Sequence, residues 1–182
     1  MKRLLVSSLE VLEVAVVAVA AVFIVRTFLV QPFLVSGVSM EPSFSHGDYL
    51  LVDEFTYYFR QPERGEVIVF KYPGDESVYY IKRVIGLPGE EVKVRGGEVT
   101  VFGKEYPLGL TLTESYLPGG LRTPRNADIT LGASQYFVMG DNRLQSSDSR
   151  DWGPVARDEV IGIARLRLWP LNEVMAFERP SY

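Results

Sequence analysis

The feature that most constrains this chain is an apolar run near its amino terminus, "VLEVAVVAVAAVFIVRTFLV", at residues 11–30. Seventeen of its twenty residues are apolar, and the exceptions are Glu13, Arg26 and Thr27. A helix of twenty residues is about 30 Å long, which matches the hydrocarbon thickness of a bilayer. The run therefore predicts one transmembrane helix over residues 9–30.

Two other interpretations of this run are a cleaved signal peptide and a helix lying in the membrane interface. A basic start and an Ala-Val-Ala site at 18–20 fit a signal peptide, but the apolar run continues beyond that site through Val25. An interfacial helix needs a polar face, which residues 14–25 lack. A retained membrane anchor fits the pattern better than either.

The charges before the run predict its orientation. Lys2 and Arg3 favour a cytoplasmic position for residues 1–8, because basic residues accumulate on the cytoplasmic side of a span. The roughly 150 residues that follow the run would then lie outside the cytoplasm. We therefore expect a single-pass protein that has the lipid bilayer as one of its partners.

Composition excludes several classes of function. The net charge is −4 and no dense cluster of Lys and Arg appears, which argues against nucleic-acid binding. The absence of cysteine excludes disulfides, thiolate catalysis and cysteine-based metal sites. The single histidine, His46, excludes a site with several histidine ligands and is expected to be an exposed turn residue. We expect no metal and no cofactor.

After Pro32 the pattern changes to short segments rich in Val, Ile, Tyr and Phe, each bounded by turn residues, which is typical of β-strands. Predicted strands lie within residues 48–55, 65–72, 77–86, 134–142 and 160–170. The strand within 160–170 is expected to be the last one in the chain. Residues 90–103 predict a hairpin that turns at Gly96-Gly97. Residues 104–133 carry several Pro and Gly and predict irregular structure.

These strands predict a mainly β, largely antiparallel fold on one membrane helix. We expect the main β domain to comprise residues 31–90 and 134–182. A smaller inserted lobe, residues 91–133, would separate its two parts.

"SGVSMEPS", residues 36–43, lies just beyond the apolar run. The stretch is either an ordinary loop or a turn that presents a serine nucleophile at the bilayer surface. A serine hydroxyl needs a neighbouring base to become an effective nucleophile.

Lys82 is the candidate base, because it lies inside the apolar strand "VYYIKRVIG". Strand alternation places Lys82 on one face with Tyr80, and Arg83 on the other face with Ile81. The pattern leaves open which face is buried. Burial would lower the pKa of Lys82, and a neutral amine can accept the proton of a serine hydroxyl.

The most polar stretch is "MGDNRLQSSDSRDWGPV", residues 139–155. One interpretation is a solvated loop. In the other, one of its hydroxyl groups hydrogen-bonds and orients the lysine, while Asp148 and Arg150 pair and hold the loop in place.

Taken together, these stretches resemble the bacterial type I signal peptidases, the membrane-bound Ser-Lys proteases of peptidase family S26. The similar motifs occur in order along the chain: the apolar run, "SGVSMEPS", "GDYLLVDEF", "RGEVIVFKYP", "YYIKRVIGLPGE" and "GDNRLQSSDSRDWG". The resemblance implies an antiparallel β catalytic domain of the signal-peptidase/LexA-like type. It also implies cleavage of signal-peptide-bearing preproteins, after small residues at positions −1 and −3, at the outer face of a bacterial cytoplasmic membrane.

The resemblance also implies roles for individual residues. Ser39 matches the nucleophile, with its backbone N–H as one oxyanion donor, and Lys82 matches the general base. Ser146 matches the hydroxyl that orients the lysine, Asp148 and Arg150 match a supporting ion pair, and Met40, Phe44, Tyr80 and Ile81 match residues that line the substrate pockets.

Gly37 stands where some members carry a serine whose hydroxyl is the second oxyanion donor, and Ser36 is one residue away from that position. The second donor is therefore left unassigned. Two other functions stay open at this point: a Ser-Lys protease that cleaves itself, and a membrane-tethered β domain that binds peptides without cutting them. The sequence does not indicate an oligomeric state.

Overall fold

The computed structural model describes residues 10–20, 30–180 and 182. Residues 10–20 form helix α1, and every side chain along it is exposed. The predicted span, 9–30, also includes residues that lie outside the described ranges. Among the helices that the structure describes, none combines the length and the apolar character needed to cross a membrane.

From residue 30 onward the described chain is mainly β, as the alternating pattern predicts. Its strands are β1 Val30–Leu34, β2 Tyr49–Asp53, β3 Val67–Tyr72, β4 Asp75–Gly86, β5 Glu91–Arg95, β6 Glu98–Phe102, β7 Leu110–Thr111, β8 Ala127–Thr130, β9 Gln135–Met139, β10 Val155–Ala156, β11 Val160–Trp169 and β12 Met175–Ala176. A single turn of helix, α2, spans Ser149–Trp152, and short 3-10 turns span Thr56–Tyr58, Arg157–Glu159 and Leu171–Glu173.

Eight antiparallel strands form the larger sheet, in the order β1-β2-β11-β3-β4-β9-β10, with β12 paired to β11. Strand β3 lies near the middle, and its apolar residues 67–70 are buried on both faces. Strand β2 buries Leu50 and Val52 and exposes the alternate positions more. The continuous apolar run of β3 therefore marks a covered strand, and the alternation of β2 marks a strand with one drier face.

The prediction that residues 160–170 form the last strand is wrong, because β12 follows it. The two residues of β12 pair with Leu166 and Arg167 of β11. Two residues are too few to show a period-two pattern, which is why the sequence does not reveal this strand.

Four strands form a second sheet, in the order β7-β6-β5-β8. Strands β5 and β6 form the predicted hairpin, and its turn residues Gly96 and Gly97 have φ values of 60° and 89°. Glycine adopts this left-handed conformation readily, so the Gly-Gly signal is confirmed. Strands β7 and β8 lie in the segment predicted to be irregular. Strand β7 has only two residues, and the apolar-polar alternation of β8 extends over only four, among several Pro and Gly.

The second half of β4 is buried on both faces. Val84 belongs to the apolar cluster of the larger sheet, which also contains Phe70, whereas Ile85 belongs to the cluster formed with the valines of the second sheet. The sequence left open whether one face of this strand meets solvent. Because both faces are covered, the adjacent cations Lys82 and Arg83 are both buried.

Replacing Phe70 with alanine tests the position of this core. Phe70 is fully buried, and we expect Phe70→Ala to lower the free energy of unfolding by about 3–5 kcal/mol, since a large cavity is left. Phe59→Ala is the control, because Phe59 is 74% exposed and its loss should change stability by about 0.5 kcal/mol or less. Denaturant unfolding of the full chain in detergent, followed by circular dichroism, measures both; similar losses would contradict the assignment.

Candidate active site

The turn that carries Ser39 follows directly after β1. Gly37 has a φ of 99°, which favours glycine, and lets the chain reverse. Met40 and Phe44 are buried in an apolar cluster with Leu50, and the Phe44 N–H donates a 2.9 Å hydrogen bond to the Met40 carbonyl oxygen. These buried side chains anchor the turn and leave Ser39 half-buried at the surface.

Lys82 approaches Ser39 from β4. In the β3–β4 ladder Lys82 lies opposite Ile68. Its Nζ is 2.8 Å from the Ser39 Oγ and 2.9 Å from the carbonyl oxygen of Ile81, and the residue is only 3% exposed. The fold therefore places a buried amine within hydrogen-bond distance of a serine hydroxyl that is 43 positions away in the sequence.

Burial lowers the pKa of the Lys82 ammonium from 10.5 to about 8, because the charged form loses its hydration. The negative charges of Asp148 and Asp141 oppose this shift in part, since they favour the ammonium form. With such a pKa, about one molecule in ten carries the neutral amine at pH 7. The site thus offers a proton acceptor near neutral pH.

Arg83, the neighbouring cation, serves a different purpose on the other face of β4. Its Nε and Nη2 lie 2.8 Å and 2.6 Å from the two oxygens of Asp141, and its Nη1 donates to the carbonyl oxygen of Gly65. A guanidinium stays protonated in proteins, so Arg83 cannot act as a base. Its bidentate ion pair instead ties β4 to the loop after β9.

That loop begins with a Gly-Asp-Asn turn that packs against the Ser39 turn. A Cβ on Gly140 would lie only 2.3 Å from the Ser39 carbonyl oxygen and 2.2 Å from the Ser146 Oγ, so this close approach requires glycine. The Asn142 N–H donates to the same Ser39 carbonyl oxygen over 3.0 Å, and the Asn142 Nδ2 donates to the carbonyl oxygen of Val38 over 3.1 Å. The two turns are therefore held together by their backbones.

Asp148 and Arg150 form a fully buried ion pair, with nitrogen–oxygen distances of 2.8 Å and 2.7 Å. Asp148 also accepts a hydrogen bond from the Gly140 N–H at 3.0 Å. Burial alone would raise the pKa of the Asp148 carboxyl, but Arg150 and the hydrogen bonds to the carboxylate lower it below its ordinary value. The anionic Asp148 thus connects the start of the loop to its end.

Ser146 lies in the same loop and is 2% exposed. Its hydroxyl is one of the groups that lower the pKa of the Asp148 carboxyl. The Lys82 Nζ bonds the Ser39 Oγ and the Ile81 carbonyl oxygen, so the expected hydrogen bond between Ser146 and Lys82 is not made among the described residues. Whether Ser146 orients the lysine during a reaction stays a prediction.

A groove of about 430 Å³ runs past Ser39 and Lys82, between β1 and the first half of β4. Tyr80 and Ile81 line it, as do Ser36 and Gly37. The lining also contains residues that the sequence did not single out: Phe33, Leu34, Val35, Val38, Leu50, Val69, Val78, Tyr79, Gln145 and Ser147. Met40 and Phe44 are not among the residues that line the groove, although Val35 and Leu50 of the same buried cluster are. A role of Met40 and Phe44 in substrate binding stays a prediction.

His46 is exposed, and its Nδ1 accepts a hydrogen bond from the Gly37 N–H at 3.2 Å. Across residues 10–20, 30–180 and 182, no group of three or more His, Cys, Asp or Glu side chains could hold a metal ion. The expectation of a site without a metal or cofactor stays a prediction.

Sequence reasoning did not identify Gly140 and Asn142 as part of this site. The signal was the Gly-Asp-Asn tripeptide just before the Ser-rich stretch. Nothing in the sequence shows that the turn contacts a backbone 104 positions earlier, as Asn142 does with Val38.

Comparison with known proteins identifies the family. A family model described as "Signal peptidase, peptidase S26" matches residues 8–169. The chain belongs to this signal peptidase family. The match extends over most of the chain and includes both the Ser39 turn and the loop after β9.

Relatives in this family cover much of the chain. The probable signal peptidase I-2 of Synechocystis sp. is 39% identical over 75% of this chain and 62% of its own length. Signal peptidase I of Leptolyngbya laminosa is 39% identical over 75% of this chain and 67% of its own length, and signal peptidase I V of Bacillus subtilis is 36% identical over 71% and 80%. The chain thus spans about two thirds of the cyanobacterial relatives.

A solved crystal structure of a signal peptidase I from Enterococcus faecalis V583 is 29% identical to this chain. The similarity covers 57% of this chain and 97% of that chain, with a TM-score of 0.48.

Replacing Gly140 with alanine tests the close contact between the two turns. The added methyl group overlaps the Ser39 carbonyl oxygen and Ser146, so we expect Gly140→Ala to lower the free energy of unfolding by roughly 1–3 kcal/mol. Gly119→Ala is the matched control, because a Cβ there meets no atom within 4 Å. Denaturant titration of both variants is the measurement, and a Gly140→Ala variant as stable as the control would refute the contact.

Proposed function

We propose that this protein is a type I signal peptidase, a serine endopeptidase that removes N-terminal signal peptides from exported preproteins. The family membership supports the class of reaction. The observation that carries the proposal is the 2.8 Å contact between the Ser39 Oγ and the Nζ of Lys82, a buried amine with a lowered pKa. A Ser-Lys pair of this kind is an activated nucleophile and its base.

In the first step the neutral Lys82 amine accepts the hydroxyl proton of Ser39 while the Ser39 Oγ bonds to the scissile carbonyl carbon. The carbonyl oxygen becomes an oxyanion. No hydrogen bond among the described residues uses the Ser39 backbone N–H, so this donor is free to stabilise the oxyanion. The second donor stays unassigned, since Gly37 carries no hydroxyl.

In the second step the Lys82 ammonium returns its proton to the departing amine as the carbon–nitrogen bond breaks, which leaves an ester on Ser39. A water molecule then attacks this ester, and Lys82 accepts the proton of the water and returns it to the Ser39 oxygen. One amine thus acts in turn as base and acid. Arg83 and Arg150 cannot replace it because both remain charged in their ion pairs.

The groove supports binding of the substrate as an extended strand. Among the strands that the structure describes, β1 pairs only with β2, and residues 75–82 of β4 pair only with β3, since the β4–β9 ladder begins at Arg83. Two sheet edges with free backbone groups therefore face the groove, and β-strand addition uses such edges. We place the small −1 and −3 side chains of the preprotein beside Tyr80 and Ile81.

The catalytic domain comprises residues 31–90 and 134–182 in this proposal, and the lobe at 91–133 supplies no reacting group. Residues 9–30 anchor the domain in a bacterial cytoplasmic membrane, with residues 1–8 in the cytoplasm and the active site at the outer face. Exposed apolar side chains support lipid contact. They occur along α1 and at Phe55, Tyr58 and Phe59. These three residues follow β2, whose last residue pairs with the first residue of β1.

A cleavage assay with a signal-peptide-bearing precursor in detergent tests the proposal. We expect Ser39→Ala and Lys82→Met each to lower the rate by at least about a thousandfold, since nucleophile and base act as a unit. Ser134→Ala and Lys104→Met are the controls, because both residues are exposed and neither lines the groove. Lys82→Met should also be the more stable protein, because it no longer buries an amine.

The outcomes of this assay separate the alternatives. Binding of the signal peptide without product from the wild-type chain would indicate a non-catalytic binding domain. Cleavage of the chain itself in place of the precursor would indicate a self-cleaving protease. Near-normal cleavage by Lys82→Met would refute Lys82 as the base.

The pH dependence provides a second test. A base acts in its deprotonated form, so kcat/KM should rise with pH and level off with a midpoint near the Lys82 pKa of about 8. The profile of wild-type protein is measured with a precursor whose own groups do not titrate between pH 6 and about 10. A rate that still climbs steeply above pH 10 would show that the base is an ordinary, solvated lysine.

A further inference from the structure

The inserted lobe contains a segment, residues 114–125, whose polar side chains do not serve the lobe alone. The segment lies between β7 and β8 of the second sheet. Glu114 and Arg125 of this segment nevertheless make their charged contacts with the loop of residues 140–151, which packs against the Ser39 turn. We call residues 114–125 the bridging segment.

The first connection between the bridging segment and the loop of residues 140–151 is made by Arg143, which is 1% exposed. Its Nη1 donates to the Glu114 Oε2 and to the Thr123 Oγ1 at 2.6 Å each, and its Nη2 donates to the second Glu114 oxygen and to the Tyr116 hydroxyl. The Arg143 Nε donates to the carbonyl oxygen of Gly140. One guanidinium therefore joins the bridging segment to the glycine that touches Ser39.

The second connection reaches the far part of the loop. Arg125 donates from Nη2 to the carbonyl oxygen of Ser146 at 2.5 Å and from Nη1 to the Asp151 Oδ2 at 2.6 Å. In the opposite direction, the Arg150 Nη1 donates to the carbonyl oxygen of Pro124 at 3.0 Å. The bridging segment thus holds the backbone of Ser146 and contacts the arginine that is paired with Asp148.

The two connections differ in strength. The Glu114–Arg143 pair has side-chain exposures of 11% and 0%, so water screens it little, and removal of the carboxylate would leave a buried guanidinium with an uncompensated charge. The Arg125–Asp151 pair has exposures of 38% and 33%, and such exposed pairs contribute little on their own. We therefore expect replacement of Glu114 to disturb the loop more than replacement of Arg125.

We propose that the bridging segment is a positioning element for the active site, in which Glu114 acts through Arg143 and Gly140 on Ser39, and Arg125 acts on the backbone of Ser146. This inference rests on the proposed function. Neither residue touches the substrate or the reacting atoms. The lobe therefore contributes to the reaction by keeping the loop pressed against the Ser39 turn.

Two kinetic readouts follow from this geometry. In Glu114→Gln we expect kcat to fall at least tenfold with a smaller change in KM, because Gln145 and Ser147 of the loop line the groove but most of its lining comes from β1 and β4, which the substitution does not touch. The midpoint of the pH profile should also rise by half a unit or more (about threefold in proton affinity), since a loosened loop admits water to Lys82. The groups around Lys82 are Ser39 and Tyr80 with the carboxylates of Asp141 and Asp148, and none of these is changed by the substitution.

A third readout does not depend on activity. Hydrogen exchange of the full chain in detergent, followed by mass spectrometry, reports the protection of peptides covering 139–147, which contain the Asn142 N–H bound to the Ser39 carbonyl oxygen. We expect exchange there to become at least tenfold faster in Glu114→Gln. Glu105→Gln, an exposed position in the same lobe, is the control and should change neither exchange nor rate.

If Glu114→Gln does not fold, Arg125→Gln tests the second connection, because its ion pair is exposed and its loss should leave the fold intact. We expect a three- to tenfold lower kcat, about the loss of one hydrogen bond. Arg122→Gln is its control, since Arg122 is exposed and contacts only the carbonyl oxygen of Gly96 within the lobe.

The outcomes separate the two proposals. Unchanged exchange in the 139–147 peptides would overturn the bridging segment as a support of the loop. Faster exchange with unchanged kcat and pH midpoint would show that the support is irrelevant to catalysis, which also overturns the inference. A wild-type chain that cleaves no precursor would overturn the proposed function, and the exchange experiment would still decide whether the segment holds the Ser39 turn.

Discussion

Burial of the Lys82 amine is the constraint on which the site depends. Its Nζ makes two hydrogen bonds, to the Ser39 hydroxyl and the Ile81 carbonyl oxygen, and the residue is almost inaccessible to water. A dry ammonium is unfavourable, so the pKa falls toward neutrality and the amine becomes a usable base. Lys82 is buried because the second half of β4 is covered on both faces. One face packs in the apolar cluster of the larger sheet, and the other packs in the cluster formed with the second sheet.

Buried arginine–carboxylate pairs surround this amine. Arg83 pairs with Asp141, Arg143 with Glu114, and Arg150 with Asp148. Buried ion pairs contribute little net stability, because desolvation offsets their attraction. Their value here is geometric: bidentate guanidinium contacts have a defined direction, and together they connect β4, the bridging segment and the loop after β9. The loop that contacts Ser39 is thereby fixed from three sides.

The arrangement also explains how a small protein combines a rigid site with an open groove. The ladder between β4 and β9 starts only at Arg83, so the preceding part of β4 keeps a free edge beside Lys82. Strand β1 offers the opposing edge, because β2 is its only partner in the described part of the chain. The groove therefore lies between two strand edges, whereas the ion pairs lie in the loop and the buried part of β4.

Local patterns in the sequence were sufficient for the longer strands and the Gly96-Gly97 hairpin, because period-two alternation and turn residues act over a few positions. The choice of Ser39 came from the resemblance to the signal peptidases, and the strand pattern around Lys82 left open which face is buried. Local patterns did not reveal β1, β7, β8, β10 and β12, each of which has two to five residues. They also did not reveal that Glu114 of the inserted lobe reaches Arg143.

The sequence by itself determined which residue types occupy each turn and strand, and hence the β class. Its ordered motifs, through their resemblance to the signal peptidases, supplied the candidate dyad. Only the tertiary structure decided that both faces of β4 are dry, that the Ser39 and Lys82 side chains meet, and which carboxylate partners each buried arginine. The physical reason is that burial and pairing depend on strands far apart in the chain, and no local pattern records how those strands pack.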